Sequence, residues 1–318
     1  MKIPHILITI NGRNDMNGLE EILGINRNML GHIMKTTVFK AMNAIGQERF
    51  VFTSEDKASE TGKAHDIVTS ADRKAQDIYL NVFRELLPDF GIIAEEEKYR
   101  RPHSTKRKVY FTIDPLDGTD GFSRRQSFGV STMIALAVEK EIVAAFVGDI
   151  NTDEIFFLWP GSDEVELLDN GSARMEKRKL AIDPGRPLKG QYVLLRKPPN
   201  RYSEVSRKII ALDTADPLFK SLNVIGGSIG LSFSQLWKGV FGALLLGTSY
   251  ETPWDSAPVI GISKKMGFKF FALDPADPKN IREINPKPIE KIYKRDFEVL
   301  VIHESRKEEF LAWTRENL

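Results

Sequence analysis

The 318-residue sequence contains no cysteine. That excludes a disulfide framework, a thiolate metal site and a cysteine nucleophile. Histidine is scarce, with five scattered residues and no H-x-x-x-H pair, so the usual zinc pattern is missing. Any metal here is expected on oxygen ligands, which favours Mg²⁺, Mn²⁺ or Ca²⁺. There is no excess of one charge: the net value is +1 with acids and bases interspersed, which argues against a nucleic-acid binder built on a broad basic face. No apolar run is long enough to span a bilayer, and the one inside MKIPHILITINGRND also lacks a small-residue cleavage site. The expectation is a cytoplasmic protein with neither nucleic acid nor membrane as partner. Internal repeats and low-complexity tracts are absent too. What is present is an ordinary globular composition, 42% hydrophobic and 28% charged, in a length that suits one large domain or two lobes sharing a core.

Apolar spacing predicts a first helix over about 17–46, with Gly46 as its stop. A second is expected over 63–87, its buried stripe formed by Ala71, Ala75, Ile78, Val82, Phe83 and Leu86 and its end set by Pro88. Residues 90–97 (FGIIAEEE) read as a short strand ending in three glutamates. The basic segment 98–108 reads as a mobile, solvated loop, with steering of anionic substrates as the alternative. Strands follow at 109–113, 131–149 and 154–159, antiparallel where connections are short. Residues 160–190 are turn-rich and mark the expected passage between lobes. Beyond them, strands at 191–196, 221–226, 240–246, 268–272 and 297–302 alternate with helices at 203–212, 228–238, 254–266 and 305–317, as in an α/β lobe.

Acidic residues gather at the ends of these elements. DPLDGTDGF (114–122) places three aspartates within seven residues, directly after the apolar strand KVYFTI. Pro115 fixes φ, and Gly118 permits a tight turn or a close backbone approach. A plain strand-to-helix turn, capped by Asp117 or Thr119, explains the segment without function. Glu95 and Glu96 end another strand, Asp72 opens a helix, and Asp255 sits in YETPWDSAP. Each has its own bland reading: a solvated loop, a capping box with Thr69, a helix N-terminal charge.

Taken in order, the segments DIVTSAD (66–72), IAEEE (93–97), DPLDGTDGF (114–122) and WDSAP (254–258) resemble the inositol monophosphatase superfamily of lithium-sensitive, Mg²⁺-dependent phosphatases. GGSIGLSFSQLWKGVFGALLLG (226–247) is similar to the family's segment before its W-D motif. The resemblance implies an α/β (α+β) fold, a layered αβαβα sandwich. It divides the chain into a leader (1–18), an N-terminal α+β lobe (19–160) with most metal ligands, and a C-terminal α/β lobe (161–318) with Asp255, acting as one catalytic unit. It implies Glu95, Asp114 and the Leu116 carbonyl as ligands of a first Mg²⁺, and Asp114, Asp117 and Asp255 as ligands of a second. Asp72 and Thr119 would orient and deprotonate the attacking water, and Glu96 would organise a further, looser metal or its water shell. Two or three Mg²⁺ per site are implied, with Mn²⁺ as a substitute, and a homodimer is one assembly the family allows. Gly118 and Thr119 lie at a helix start, where N–H groups can hold phosphate oxygens.

Substrate detail is less specific. Gly121 and Phe122 look like the family's nucleotide branch, whereas Asp120 fits neither that branch nor the inositol branch. The position that carries a hydroxyl-gripping glutamate in the inositol branch is Thr248 here, with Glu251 nearby as a substitute. Lys264-Lys265-Met266-Gly267-Phe268 departs from the family's Glu-Ala-Gly-Gly. The expected partner is a small phosphate ester: inositol monophosphate or a similar polyol phosphate first, contacted by Gly118, Thr119, Asp120 and Glu251, then adenosine 3′,5′-bisphosphate, then sugar bisphosphates. Contact of Arg124 or Arg125 with a second phosphate would favour a bisphosphate. A non-catalytic descendant that binds phosphorylated metabolites or a partner protein is the alternative class.

Overall fold

The computed structural model describes residues 15–59, 62, 66–169, 176–277 and 280–318. Up to residue 14 the expected leader lies outside them. The first half runs α1 (Asp15–Leu23), α2 (Arg27–Glu48), β1 (Ser54–Asp56), β2 (Ile67–Thr69), α3 (Ser70–Leu86), β3 (Gly91–Ala94), β4 (Arg100–Arg101), β5 (Val109–Asp117) and α4 (Thr119–Ser123). It continues through β6 (Ser131–Val138), β7 (Glu141–Asp149), β8 (Glu154–Leu158), β9 (Val165–Asp169) and β10 (Glu176–Lys179). The second half comprises β11 (Tyr192–Leu195), α5 (Glu204–Ile209), β12 (Ser221–Val224), α6 (Ile229–Trp237), β13 (Ala243–Leu246), β14 (Ser249–Glu251) and α7 (Pro253–Lys265). It closes with β15 (Phe268–Leu273), β16 (Ile281–Ile284), β17 (Tyr293–Arg295), β18 (Glu298–His303) and α8 (Lys307–Asn317).

Two sheets carry the fold. The first has eight strands in the order β10-β9-β8-β7-β6-β5-β3-β4, and the second has six in the order β12-β11-β13-β18-β15-β16. Both are mixed: β3 runs parallel to β5, and β11 runs parallel to β12 and β13, among otherwise antiparallel pairs. Period-2 alternation sorts the side chains into layers. From β5 and β6, Val109, Phe111, Ile113, Ile134 and Leu136 face α2 and α3, while Met133 and Ala135 face the other way, toward α6, α7 and the second sheet. On β18, Val299 and Val301 face that middle layer, and Leu300 and Ile302 face α5 and α8. The result is helix, sheet, helix, sheet, helix: the expected αβαβα sandwich. Strands buried on both faces explain why the sequence shows continuous apolar runs there instead of alternation.

Several boundaries differ from expectation for local reasons. The single helix expected over 17–46 is two helices. Gly24 takes φ +66° and ends α1, and the Asn26 side chain accepts from the N–H of Asn28 and Met29 to start α2. α3 opens at Ser70 rather than 63, because Thr69 and Asp72 form a capping box; residues 63–65 lie outside the described residues. Leu86, expected in its buried stripe, is exposed, and Tyr79 and Leu80 are buried instead. Of the passage between lobes expected over 160–190, the first part belongs to the first sheet, which β9 and β10 extend; the chain changes sheets between Lys179 and Tyr192.

Part of the basic segment 98–108 is not a solvated loop. β4 pairs with β3, and the Arg101 guanidinium donates to the carbonyls of Leu87 (2.9 Å) and Phe90 (2.7 Å), closing the C-terminal end of α3. Among the described residues no helix is long and apolar enough to cross a membrane.

Candidate active site

The acids meet where β3, β5 and the starts of α3, α6 and α7 converge on one cleft. On β5, Asp114 pairs with Met133 and Asp117 with Ser131, so three steps along β5 match two along β6. That single-residue bulge matters: three positions apart on a regular strand, Asp114 and Asp117 would point to opposite faces. With the bulge, oxygens of Asp114, Asp117 and Asp255 lie within 4.8 Å of one another. Asp114 Oδ1 is buried and has no hydrogen-bond partner. Asp117 is mounted from the α6 side, its Oδ2 accepting from Ser228 Oγ (2.6 Å) and Gly230 N (3.0 Å). Asp255 arrives in the first turn of α7, capped by Thr252, whose Oγ1 accepts from the Asp255 N–H at 3.2 Å.

Asp72 uses its two oxygens on different partners. Its Oδ2 accepts from the N–H and the hydroxyl of Thr69, at 2.8 and 2.5 Å, which is the capping box. Its Oδ1 faces the cleft and lies 3.0 Å from Thr119 Oγ1. Thr119 Oγ1 is also 3.0 Å from the Leu116 carbonyl oxygen. The capping and catalytic readings of Asp72 are therefore compatible, because each uses a different oxygen.

The glutamate pair ends β3. Glu97 and Lys98 both have φ near +50°, and this turn sends the chain back into β4 while Glu95 and Glu96 stay at the cleft. Buried Gln76 of α3 fixes the Glu96 backbone in both directions, donating to its carbonyl (3.0 Å) and accepting from its N–H (2.9 Å). Lys57, which sequence reasoning missed, reaches both acids: its ammonium is 3.0 Å from Glu95 Oε1 and 2.6 Å from Glu96 Oε1. Arg100 joins this edge to α7. It donates to the Ala94 carbonyl (2.5 Å) and lies 5.2 Å over the ring of buried Trp254.

So many carboxylates in one place perturb each other. Burial raises the Asp114 carboxyl well above its ordinary value, and Glu95, Asp117 and Asp255 raise it further. Asp117 is pushed up to about 6 by burial and Asp255, against the lowering effects of Arg196, Ser228 and the Gly230 N–H. Glu95 is pushed up to about 8 by burial, Glu96 and Asp255, although Lys57 opposes the shift. Asp72 and Glu96 are raised chiefly by burial. Burial alone would favour neutral Lys57, but the two glutamates outweigh it and hold the ammonium charged.

Three glycines close the floor. Gly118 (φ +96°) and Gly227 (φ +86°) both press on Gly129: a Cβ on Gly118 would stand 2.2 Å from the Gly129 carbonyl oxygen, and one on Gly227 at 2.8 Å. This junction ties the turn before α4 to the turn before α6. Sequence reasoning picked out Gly118 and the GGSIG segment but not Gly129, whose signal is only a lone glycine before a strand.

The outer wall of the cleft is arranged differently. Glu251 lines it, but Arg295 Nε binds Glu251 Oε1 at 2.6 Å and the Tyr293 hydroxyl donates to Oε2 at 2.8 Å. Each oxygen that was expected to grip a ligand hydroxyl thus already accepts one hydrogen bond from the protein. Asp120, expected near the substrate, has a side chain 74% exposed and is paired with Arg124 at 3.1 Å. Thr248 is exposed beside Gly247, and its carbonyl accepts from Lys197 Nζ at 3.1 Å. The cleft as a whole has a volume of about 1130 Å³.

The profile of the inositol monophosphatase family matches residues 27–313. The chain belongs to the inositol monophosphatase family. An inositol-1-monophosphatase of Rhizobium meliloti is 33% identical over 159 residues, which is 49% of this chain and 56% of that protein. The chain thus spans little more than half the length of this curated relative. Among solved structures, the extragenic suppressor protein suhB of Bartonella henselae superposes with a TM-score of 0.66 at 19% identity, covering 91% of this chain and all of that one. A dual specific IMPase/NADP phosphatase, solved with D-inositol-1-phosphate, gives a TM-score of 0.65 at 18% identity, over 90% of this chain and 95% of that one. Family members so distant establish the shared fold.

Proposed function

We propose that the chain is a divalent-cation-dependent phosphomonoesterase acting on a small phosphorylated metabolite. The observation that carries the proposal is buried, unpartnered Asp114 Oδ1 within a cluster of three aspartates. A buried anion without a partner is costly, and like-charged neighbours worsen it. An all-oxygen donor set that needs positive charge fits Mg²⁺ or Mn²⁺. Glu95, Asp114 and the Leu116 carbonyl would hold one cation, and Asp114, Asp117 and Asp255 another, with Glu96 behind Glu95. When bound, the cations supply charge neutralisation of the phosphate dianion and of the leaving oxygen.

The chain's own groups then do the rest. Thr119 Oγ1 donates to Asp72 Oδ1 and accepts from the attacking water, so the water's proton passes toward Asp72. Burial of Asp72 makes its carboxylate a stronger base than an exposed one. Locking its second oxygen on Thr69 keeps Oδ1 aimed at Thr119. The water oxygen bonds to phosphorus, the ester P–O bond breaks, and the leaving alkoxide takes a proton from solvent water to depart as the alcohol. Gly118 and Thr119 receive phosphate oxygens on their N–H groups. Residues of both halves of the chain build this centre, so we treat it as one catalytic unit.

Inositol monophosphate remains a candidate, supported by the name of the Rhizobium relative. The engagement of Glu251 by Arg295 and Tyr293, and of Asp120 by Arg124, weakens the case for a polyol ring gripped by carboxylates. A phosphate-release screen over inositol 1-phosphate, adenosine 3′,5′-bisphosphate and fructose 1,6-bisphosphate tests the proposal. Release with Mg²⁺ and none in excess EDTA is expected. Release that persists undiminished in EDTA, or none from any ester, overturns it.

A further inference from the structure

Some of the cations that line the cleft are held by carboxylates and others, Lys98 and Lys294 among them, are in no ion pair among the described residues. Lys57, Arg124 and Arg295 are each held by a carboxylate. Arg196 and Lys197, at the end of β11, form no ion pair with a carboxylate among the described residues; their partners are a hydroxyl and carbonyls. Arg196 Nη1 donates to Ser232 Oγ at 2.8 Å and Nη2 to the Gly227 carbonyl at 2.7 Å. Those two bonds fix the plane of the guanidinium and leave three of its five N–H groups unused. Lys197 Nζ donates to the Thr248 carbonyl at 3.1 Å and keeps two N–H groups. Both side chains line the cleft that holds the aspartate cluster, and the charge of Arg196 acts directly on Asp117.

An immobilised, partly buried guanidinium and an exposed ammonium next to it in sequence, both lining the cleft, suit a phosphate or carboxylate. The phosphate being hydrolysed already has the aspartate-bound cations and the Gly118–Thr119 turn. The cleft is also larger than that group needs: its volume of about 1130 Å³ exceeds the ~300–1,000 Å³ usual for small-molecule sites. We infer that Arg196 and Lys197 seat a second anionic group, so that the substrate is a phosphate monoester whose alcohol part carries another phosphate or a carboxylate. The inference rests on the phosphomonoesterase reading and narrows its substrate class.

The test measures kcat/KM with Mg²⁺ on matched pairs that differ in the second anion: adenosine 3′-phosphate against adenosine 3′,5′-bisphosphate, fructose 1-phosphate against fructose 1,6-bisphosphate, and glycerol 1-phosphate against 3-phosphoglycerate. The third pair separates a carboxylate from a phosphate. The full-length protein is expected to prefer the doubly anionic member of at least one pair by tenfold or more. Arg196→Gln should cut that ratio at least tenfold and Lys197→Gln at least threefold. KM for the preferred ester should also rise more steeply with NaCl than KM for its singly charged counterpart. Should Arg196→Gln fold poorly, exposed Lys197→Gln and the salt dependence of the unaltered protein decide. A ratio near one in every pair, or a preference that survives both substitutions, overturns the inference while leaving the phosphatase reading intact. An Arg196 that bound only the reacting phosphate would lower both members of a pair equally and give the latter result. Phosphate release from no ester at all would overturn the phosphatase reading, and the inference with it.

Discussion

The inner and outer walls of the cleft obey opposite electrostatic rules. Inside, oxygens of Asp114, Asp117 and Asp255 crowd together; the Asp114 and Asp117 carboxyls are pushed upward, and an Asp114 oxygen is left unpartnered. Outside, Glu251 and Asp120 are neutralised by Arg295 and Arg124. The inner wall is unstable by itself and therefore demands ligands, whereas the outer acids are already satisfied. The contrast teaches that a carboxylate's availability is decided by its partners and not by its place in a cleft.

The contrast can be broken at three depths. Asp114→Asn should have the largest effect, a fall in kcat of about a thousandfold or more, worth ~4 kcal/mol of barrier, because both proposed cations lose charge. The same change removes a buried repulsion, so the metal-free variant should melt no lower than the unaltered protein at pH 8. Retention of a tenth of kcat, or a large drop in melting temperature, would show that Asp114 is not the shared ligand. Thr119→Ala should cost about a hundredfold in kcat with little change in KM, the range of a lost proton-transfer partner. A KM effect of equal size would instead assign Thr119 to binding. Asp120→Lys is the smallest: less than threefold in kcat/KM for any ester, and a stability change within about 0.5 kcal/mol, because the Asp120–Arg124 pair is solvent-screened. A tenfold swing toward bisphosphates would place Asp120 against the substrate after all.

The inner wall was legible in the sequence because its chemistry is packed into short segments. DPLDGT fixes a strand end, a bulge and a turn within six residues, and WDSAP fixes a helix start. The long-range supports were not legible. Lys57 meets Glu95 and Glu96 from 38 and 39 residues away, and Ser228 meets Asp117 from 111 away. No local pattern announces such pairs. Glu251 shows the same limit: its place at the cleft was legible, but its pairing with Arg295, 44 residues on, was not. The fold followed the same division. Helices α5–α8 and the long strands were visible by periodicity, whereas β9 and β10 were hidden in turn-rich sequence and confine the change of sheets to the last part of the expected passage. Short edge strands carry little pattern of their own and are defined by the neighbour they pair with.

The central claim is that the inner carboxylates are built to be neutralised by divalent cations. Folding raises Glu95 from 4.5 to about 8 and Asp117 from 3.8 to about 6. A carboxyl whose folded pKa is raised leaves stability intact at pH below its unfolded value and takes stability away as pH rises through its folded value. The melting temperature of the EDTA-stripped protein, followed from pH 5 to pH 9 with and without Mg²⁺, measures this directly. The account predicts a decline from pH 5 to about 8 without metal, and a rise on adding Mg²⁺ that is larger at pH 8 than at pH 5. A metal-free melting temperature that is flat with pH, together with no response to Mg²⁺ at pH 8, would contradict it.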